Sequence, residues 1–226
     1  HIDIDPAEIS KNKKVDIYLI GDVKTILNEL IKMYRRRDNA YKLQPNRESW
    51  LFKNDLWKNS YPLTIPKFYR KLSPQSVINA IGEIYSNAIV TTDVGQHQMW
   101  AAQFVPYELP RTWLNSGGLG TMGYSVPAAM GAKVAAPDTT VWSIDGDGCF
   151  QMTNQELVTC ALNNIPIKVA IINNESLGMV RQWQTLFYEG RYSNTNLESK
   201  RVPDFPKLAD AMGCIGLSCD RPEDVD

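Results

Sequence analysis

The sequence lacks most of what would send it to a membrane, a nucleic acid or a histidine-built metal centre. Its apolar runs break well short of the ~20 residues that a bilayer-crossing helix needs, and no signal-peptide pattern is visible. Neither charge sign dominates. Lys+Arg 24 against Asp+Glu 25 gives a formal charge of -1, which excludes a global basic field for nucleic acid or anionic lipid and leaves room only for a local patch. Histidine is scarce: two residues cannot build a multi-histidine metal site. Cysteine is scarce too. Cys149, Cys160, Cys214 and Cys219 lack CxxC spacing and stand in apolar or strand-like contexts. They read as buried, reduced thiols, which places the protein in the cytoplasm.

What is present is ordinary globular protein. Hydrophobic residues make up 43% and charged residues 22% of 226, close to the soluble average. At roughly 150 residues per domain, the length allows one large domain, or one plus part of another. No internal repeat or low-complexity segment stands out. The chain opens at His1 inside a strand-like run, and Arg221-Pro222-Glu223-Asp224-Val225-Asp226 reads as the start of a helix that does not follow. Both ends lead us to expect a piece of a longer protein.

Residues 2–4 and 15–20 read as short strands. Gly21-Asp22 then opens a helix to about Arg37, with Val23, Ile26, Leu27, Leu30, Ile31 and Tyr34 at helical spacing. Arg35, Arg36 and Arg37 suit the negative pole of its dipole. Residues 38–72 read as a linker with one short helix over Glu48–Lys58, and the basic run Lys67 to Lys71 as a solvated face. From Ser73-Pro74, an N-cap followed by proline at the first helical position, strands and helices alternate. Helices are expected over 74–85, 96–103, 124–135, 154–163, 177–187 and 205–212. Strands are expected over 88–92, 112–115, 140–144, 167–172 and 214–217. The strands at 141–144 and 167–172 are almost continuously apolar, as if buried on both faces of a parallel sheet. This is the pattern of a doubly wound α/β domain, whose ligands sit at the strand carboxyl ends.

Two glycine signals compete there. Gly118-Leu119-Gly120-Thr121-Met122-Gly123 is a literal G-x-G-x-x-G, and Asp145 ends the next strand, where a ribose-binding acid would stand. Against a dinucleotide, Pro127 falls in the first turn of the next helix, and a structural turn is the plainer alternative. The second signal is Gly146-Asp147-Gly148, then residues 149 to 172, then Asn173-Asn174. Each half follows a buried strand, so Asp147 and Asn174 should lie side by side at neighbouring strand tips. A carboxylate and an amide oxygen are hard ligands that suit Mg²⁺ when a phosphate-bearing ligand adds charge of its own. Gly146 and Gly148 allow close backbone approach to a diphosphate, and nearby helix N-termini offer free N–H groups. The plain reading of either half alone is a turn aspartate or an asparagine cap.

The pairing of GDG with a distant NN resembles the signature of thiamine diphosphate enzymes. The likeness extends over Val94-Gly95-Gln96-His97-Gln98-Met99-Trp100-Ala101-Ala102, Ser116 to Tyr124 and Gly178-Met179-Val180-Arg181-Gln182-Trp183-Gln184. All of these resemble the catalytic large subunit of the acetolactate synthase family. The resemblance implies a thiamine diphosphate domain over 73–226, preceded in 1–37 by the tail of a Rossmann-like central domain that holds FAD. It implies that Asp147, the Asn174 side chain and the Ser176 backbone carbonyl ligate Mg²⁺. Gln96, His97, Gly146, Gly148, Cys149 and Gly178 would surround the diphosphate, only the backbone being implicated at Cys149. Gly120 and Met122 would contact the aminopyrimidine, which assigns the G-x-G-x-x-G loop to thiamine. Met179, also beside the cofactor, and Trp183 would line the substrate channel, the tryptophan favouring 2-oxobutyrate as acceptor. Asp3, Ile4, Asp22 and Val23 would touch FAD.

The activity implied is condensation of pyruvate with a second 2-oxo acid, with loss of CO₂, to 2-acetolactate or 2-aceto-2-hydroxybutyrate, on the way to isoleucine and valine. The implied partners are these small acids, a second copy of the subunit and a small regulatory subunit. The glutamate needed for proton transfer would come from another subunit, so no catalytic acid or base is expected here, and the chain alone is expected not to turn over pyruvate. Another thiamine-dependent decarboxylase or oxidase, or a non-catalytic cofactor-binding fragment, remains the alternative.

Overall fold

The computed structural model describes residues 1–36, 47–66, 72–198 and 203–225. Two compact units divide at Pro62: His1–Pro62 and Leu63–Asp226. The expected linker 38–72 is therefore shared between them, and its helix belongs to the first. Arg37 and the basic run 67–71 lie outside the described residues.

In the first unit, β1 (Ile2–Asp3) and β2 (Leu19–Ile20) run parallel, with Ile2 opposite Leu19 and Asp3 opposite Ile20. Both are shorter than expected. A ribbon of two residue pairs has no third strand to extend its ladder, and 15–18 stays irregular. α1 (Val23–Arg35) starts at an aspartate cap: the Asp22 carboxylate accepts the Thr25 N–H at 2.9 Å. α2 (Glu48–Ser60) follows. None of these elements buries a residue. The α1 stripe of Val23, Leu27, Leu30, Ile31 and Tyr34 is exposed within its own unit.

The second unit opens as its cap residues direct. Ser73 Oγ accepts the Ser76 N–H at 3.1 Å, and Pro74 begins α3 (Pro74–Ile84). Next come β3 (Ile89–Thr92), α4 (Gln96–Phe104), β4 (Trp113–Asn115), α5 (Ser125–Ala135) and β5 (Val141–Gly146). They are followed by α6 (Asp147–Thr153), α7 (Glu156–Leu162), β6 (Lys168–Ile172), α8 (Gly178–Phe187) and α9 (Phe205–Ala211). The sheet is wholly parallel in the order β4-β3-β5-β6. Ile78, Ile81 and Ala101 of α3 and α4 pack on one face against Val90, Ile144 and Ile172. On the other face, Val126, Phe150 and Leu157 of α5, α6 and α7 form one cluster, and Ala129, Ala132 and Val141 another. Helices on both faces of a parallel sheet make a doubly wound α/β fold. The order reverses between β3 and β5, so the switch-point crevice opens at their carboxyl ends.

Four expectations are corrected. The helix expected at 154–163 begins at Asp147, as α6, and after a break at Asn154 and Gln155 continues as α7. Gly-Asp-Gly reads as a turn in sequence, but an acidic first residue suits the positive pole of a helix. β6 is buried less than expected: Ala170 and Ile172 pack on one face and Val169 and Ile171 on the other, but it is the edge of the described sheet and only Ile172 is buried. Residues 214–217 form no strand. Among the described residues they pair with no strand, and Ile215 and Leu217 are exposed. Of the four free thiols, Cys149 and Cys160 are buried, Cys214 is half-buried and Cys219 is exposed, because it lies in that irregular tail.

Candidate functional site

One cleft gathers the tips of β3, β5 and β6. It is lined from β3 into α4 by Val94, Gly95, Gln96, His97 and Trp100, from β5 into α6 by Gly146 to Cys149, and from β6 into α8 by Ile172, Asn174 and Ser176 to Val180, with Met122 reaching in from the glycine loop. The first turns of three helices therefore face the same space, a setting that favours anionic oxygens. The walled part of the cleft is about 90 Å³, below the ~300–1,000 Å³ of closed small-molecule pockets. It accommodates the charged end of a ligand, with the remainder projecting. A wider, open hollow of about 610 Å³ lies in the first unit along the loop 10–17. It brings together no comparable set of groups from separate elements.

The two halves of the signature converge as expected. Gly146 pairs with Ile172 across β5 and β6, and Asp147 and Asn174 follow onto the same cleft wall. Asp147 is 4% exposed. Burial raises its pKa, opposed by the backbone N–H groups of Gly148 and Asp147 itself. The charge of Glu175 raises it further, while the Glu175 N–H opposes that. Asn174 Oδ1 accepts the Ser176 N–H at 3.1 Å, and its Nδ2 faces Gln96 Oε1 at 3.5 Å. Gln96 Nε2 in turn donates to Gln182 Oε1 at 2.9 Å, which joins α4 to α8 across the opening. Among the described residues no three His, Cys, Asp or Glu side chains cluster as metal ligands. Asp147 is the one carboxylate on the cleft wall. One carboxylate with neutral oxygens suits a hard divalent ion that is partly satisfied by its ligand's own phosphates.

His97 is 5% exposed, and its Nε2 has no hydrogen-bond partner. Burial pushes the ring down to about 4, against the Asp93 charge and backbone, which act to raise it. The ring is therefore neutral near pH 7. A Cβ on Gly146 would stand 2.9 Å from His97 Cε1, so only glycine leaves the ring its place. Gly178 is constrained in the same way: an added Cβ would meet Gln96 Oε1 and lie 2.8 Å from Asn174 Nδ2. The cleft thus combines a cradle with no room for side chains, an unpartnered buried imidazole nitrogen and a set of hard oxygen donors. These features fit a Mg²⁺-diphosphate group.

Gln96, His97, Met122, Gly146, Asp147, Gly148, Cys149, Asn174, Ser176, Gly178 and Met179 all line the cleft. Gly120 does not line it: it sits in the exposed loop at φ 65°. Trp183 lies one helical turn beyond Met179 on α8 and is exposed. Asp3 and Asp22 belong to the first unit, at the tips of β1 and β2, where the Gly21 N–H donates to the Asp3 carbonyl at 2.8 Å. Asp145 is not a ribose acid. It is fully buried in β5 with Oδ2 on the Ser143 hydroxyl, and burial with the nearby Asp93 charge holds its carboxyl well above the usual range.

Sequence reasoning missed the apolar wall of Val94, Trp100 and Leu177, which carries no polar motif. It also missed Asp93, a fully buried carboxylate beneath the cleft. The one available signal was its place, directly after the apolar strand β3 and two residues before Gly95.

Comparison with known proteins agrees with this geometry. Residues 93–226 match the family described as "Thiamine pyrophosphate enzyme, C-terminal TPP binding domain". The chain is 58% identical over its whole length to acetolactate synthase of Mycobacterium bovis and to the acetolactate synthase large subunit of Mycobacterium tuberculosis. It is 52% identical to the acetolactate synthase large subunit of Corynebacterium glutamicum. It spans about 37% of the length of the two mycobacterial relatives and 36% of the third.

Proposed function

Since the chain belongs to the thiamine pyrophosphate enzymes, as their C-terminal cofactor-binding domain, we propose that it holds thiamine diphosphate with Mg²⁺ in an acetolactate-forming enzyme. In this reading the enzyme condenses pyruvate with a second 2-oxo acid, pyruvate or 2-oxobutyrate, with loss of CO₂, in branched-chain amino acid synthesis. The observation that carries the cofactor reading is the meeting of Asp147, Asn174 and Ser176 with the neutral His97 in one glycine-walled cleft. The names of relatives 52–58% identical over the whole chain support the choice of substrate.

Asp147, the Asn174 side-chain oxygen and the Ser176 carbonyl would hold the Mg²⁺. Gln96, His97 and the backbone of Gly146, Gly148, Cys149 and Gly178 would hold the diphosphate, with Gly120 and Met122 toward the aminopyrimidine. Bound thiamine diphosphate supplies a nucleophilic carbon for the 2-oxo acid carbonyl and an electron sink for decarboxylation. The chain's own residues bind, orient and exclude water. His97 presents a nitrogen without competing partners. Met122 places its methyl 4.0 Å from where a Cβ on Gly148 would stand, closing the space above that glycine. Met179 and Trp183, four residues apart on α8, would form the apolar wall for the second acid.

In this reading Asp147 and His97 of the described cleft wall hold the metal and the diphosphate, which leaves the proton-transfer group to come from elsewhere. In this reading that group is a glutamate from a second copy of the protein, covering the part of the cofactor that the cleft leaves outside. Asp3 and Asp22, with Ile4 and Val23, would touch FAD, and a small regulatory subunit would complete the assembly. A cytoplasmic site fits the four free thiols, and among the described residues no helix is long and apolar enough to cross a membrane.

Calorimetry of the full-length protein with thiamine diphosphate, with and without Mg²⁺, tests the cofactor reading. Tight binding that needs Mg²⁺ and is lost in Asp147→Ala is expected. Mg²⁺-independent binding, or an Asp147→Ala variant that binds like the parent, would overturn it. Acetolactate from pyruvate is the expected product; acetaldehyde or peroxide in its place would refute the substrate assignment.

A further inference from the structure

One fully buried carboxylate beneath the cleft has been given no part in holding the cofactor, although it lies against two groups that have, the His97 ring and the Cys149 thiol. Asp93 follows β3 and is 0% exposed. Its Oδ1 accepts the N–H of Val94 at 2.8 Å and of Gly123 at 3.0 Å, and its Oδ2 accepts the N–H of Ser125 at 2.8 Å. One carboxylate therefore ties the tip of β3 to the last corner of the glycine loop and the first residue of α5. The corner is held from its other side as well. Thr153 of α6 donates its hydroxyl to the Gly123 carbonyl at 3.1 Å. Gly123 has φ 86°, and an added Cβ would stand 3.1 Å from Met152 Cβ and 3.0 Å from Thr153 Cγ2. Met122 precedes this corner and is the loop's one residue on the cleft wall.

We propose that Asp93 is a positioning residue for the cofactor cleft: by fixing the Met122-Gly123-Tyr124 corner, it sets the Met122 side chain over Gly148. The role rests on the thiamine diphosphate reading above and adds to it a residue that no motif marks. The physical reason for a carboxylate is the count of donors. Three backbone N–H groups from two segments converge where water is excluded. The two oxygens of a carboxyl group satisfy all three, while an amide offers one oxygen and turns an N–H₂ toward the remaining donors. Asparagine at this position keeps the size of the side chain and loses the clamp. Behind Asp93, Ser125 Oγ bonds Thr91 Oγ1 at 2.8 Å and Ser143 Oγ at 2.7 Å. The start of α5 is thereby fixed to β3 and β5 independently of the loop.

The test is binding of thiamine diphosphate with Mg²⁺ to the full-length protein, read by calorimetry, for the parent, Asp93→Asn, Met122→Ala and the double variant. Asp93→Asn is expected to raise Kd about tenfold. On the Met122→Ala background it is expected to add less than about twofold, because the side chain it positions is gone. Thr153→Val, which removes only the hydroxyl bond to the corner, is the milder companion should Asp93→Asn fold poorly. It is expected to weaken binding a few fold, again only when Met122 is present. A purely structural role predicts the same weakening with and without Met122, and that result would overturn the proposal. So would parent-like binding by both single variants. A parent that bound no thiamine diphosphate at all would instead refute the underlying cofactor reading, and the proposal with it.

Discussion

Both compact units place aspartates at the tips of parallel strands, and among the described residues those of the second unit line a walled cleft while those of the first lie on an uncovered ribbon. In the second unit, four strands are covered on both faces, with Ile78 and Ile144 wholly buried. Asp147 and Asn174 follow adjacent strands onto one wall. In the first unit two residue pairs make the whole sheet, and no element buries a residue. There Asp3 accepts the Asp5 N–H at 2.9 Å, and Asp22 caps α1 through Thr25. A packed sheet holds strand-tip side chains in register for a shared ligand; on the short ribbon of the first unit the tip carboxylates hold the turns that follow them.

Core substitutions should separate the two units most strongly. Ile78→Ala is expected to cost about 2–5 kcal/mol in urea unfolding of the second unit. Leu27→Ala on the exposed α1 stripe should stay within about 0.5 kcal/mol in the isolated chain. A cost above about 1 kcal/mol at Leu27 would show that the stripe is covered, and the contrast would break.

Acid should act next, and through the second unit. The folded pKa of His97, about 4, lies below the unfolded value near 6.5. The unfolded state thus takes up a proton first. The stability from the neutral ring is complete above pH ~6.5 and is lost as pH falls toward 4, by up to about 3 kcal/mol. Asp145, raised by burial, works in the opposite sense and loses stability as pH rises. The measurement is therefore the difference between the unfolding free energies of the parent and of His97→Gln from pH 7 to 4. A difference that stays constant over that range would contradict the buried neutral ring.

The smallest expected effect lies in the first unit. Asp22→Ala removes the α1 cap and should cost about 1 kcal/mol, seen as lost helical circular dichroism, with thiamine diphosphate binding unchanged. Weaker cofactor binding in that variant would mean that the two units are not separable in this way.

Much of this contrast is legible in the sequence. Alternating apolar strands and capped helices show the doubly wound sheet, because a period of 2 switching to 3.6 is a local property. Ser73-Pro74 opens α3 as its chemistry requires. The GDG and NN pairs are legible as a site because each follows a strand, and parallel neighbours place their ends together. Other features depend on tertiary neighbours. Whether Asp147 begins a helix or turns back depends on the space behind Gly146. Whether 214–217 pairs depends on a strand that the described residues do not provide. β6 reads as buried on both faces, yet at the edge of the described sheet only its Ile172 is buried. Asp93 is invisible for the same reason: two of its three N–H partners, Gly123 and Ser125, are set by the fold of the glycine loop, 30 and 32 residues away.

The shared grip of Asp147 and Asn174 on one ion is open to a double-mutant cycle. Binding of thiamine diphosphate at fixed Mg²⁺ would be measured for Asp147→Ala, Asn174→Ala and both together. Asp147→Ala should weaken binding about 100-fold and Asn174→Ala about tenfold, with the double variant close to Asp147→Ala alone, since an ion already lost cannot be lost again. A double variant weaker by the product of the two factors, about 1,000-fold, would mean that the two side chains act on separate groups.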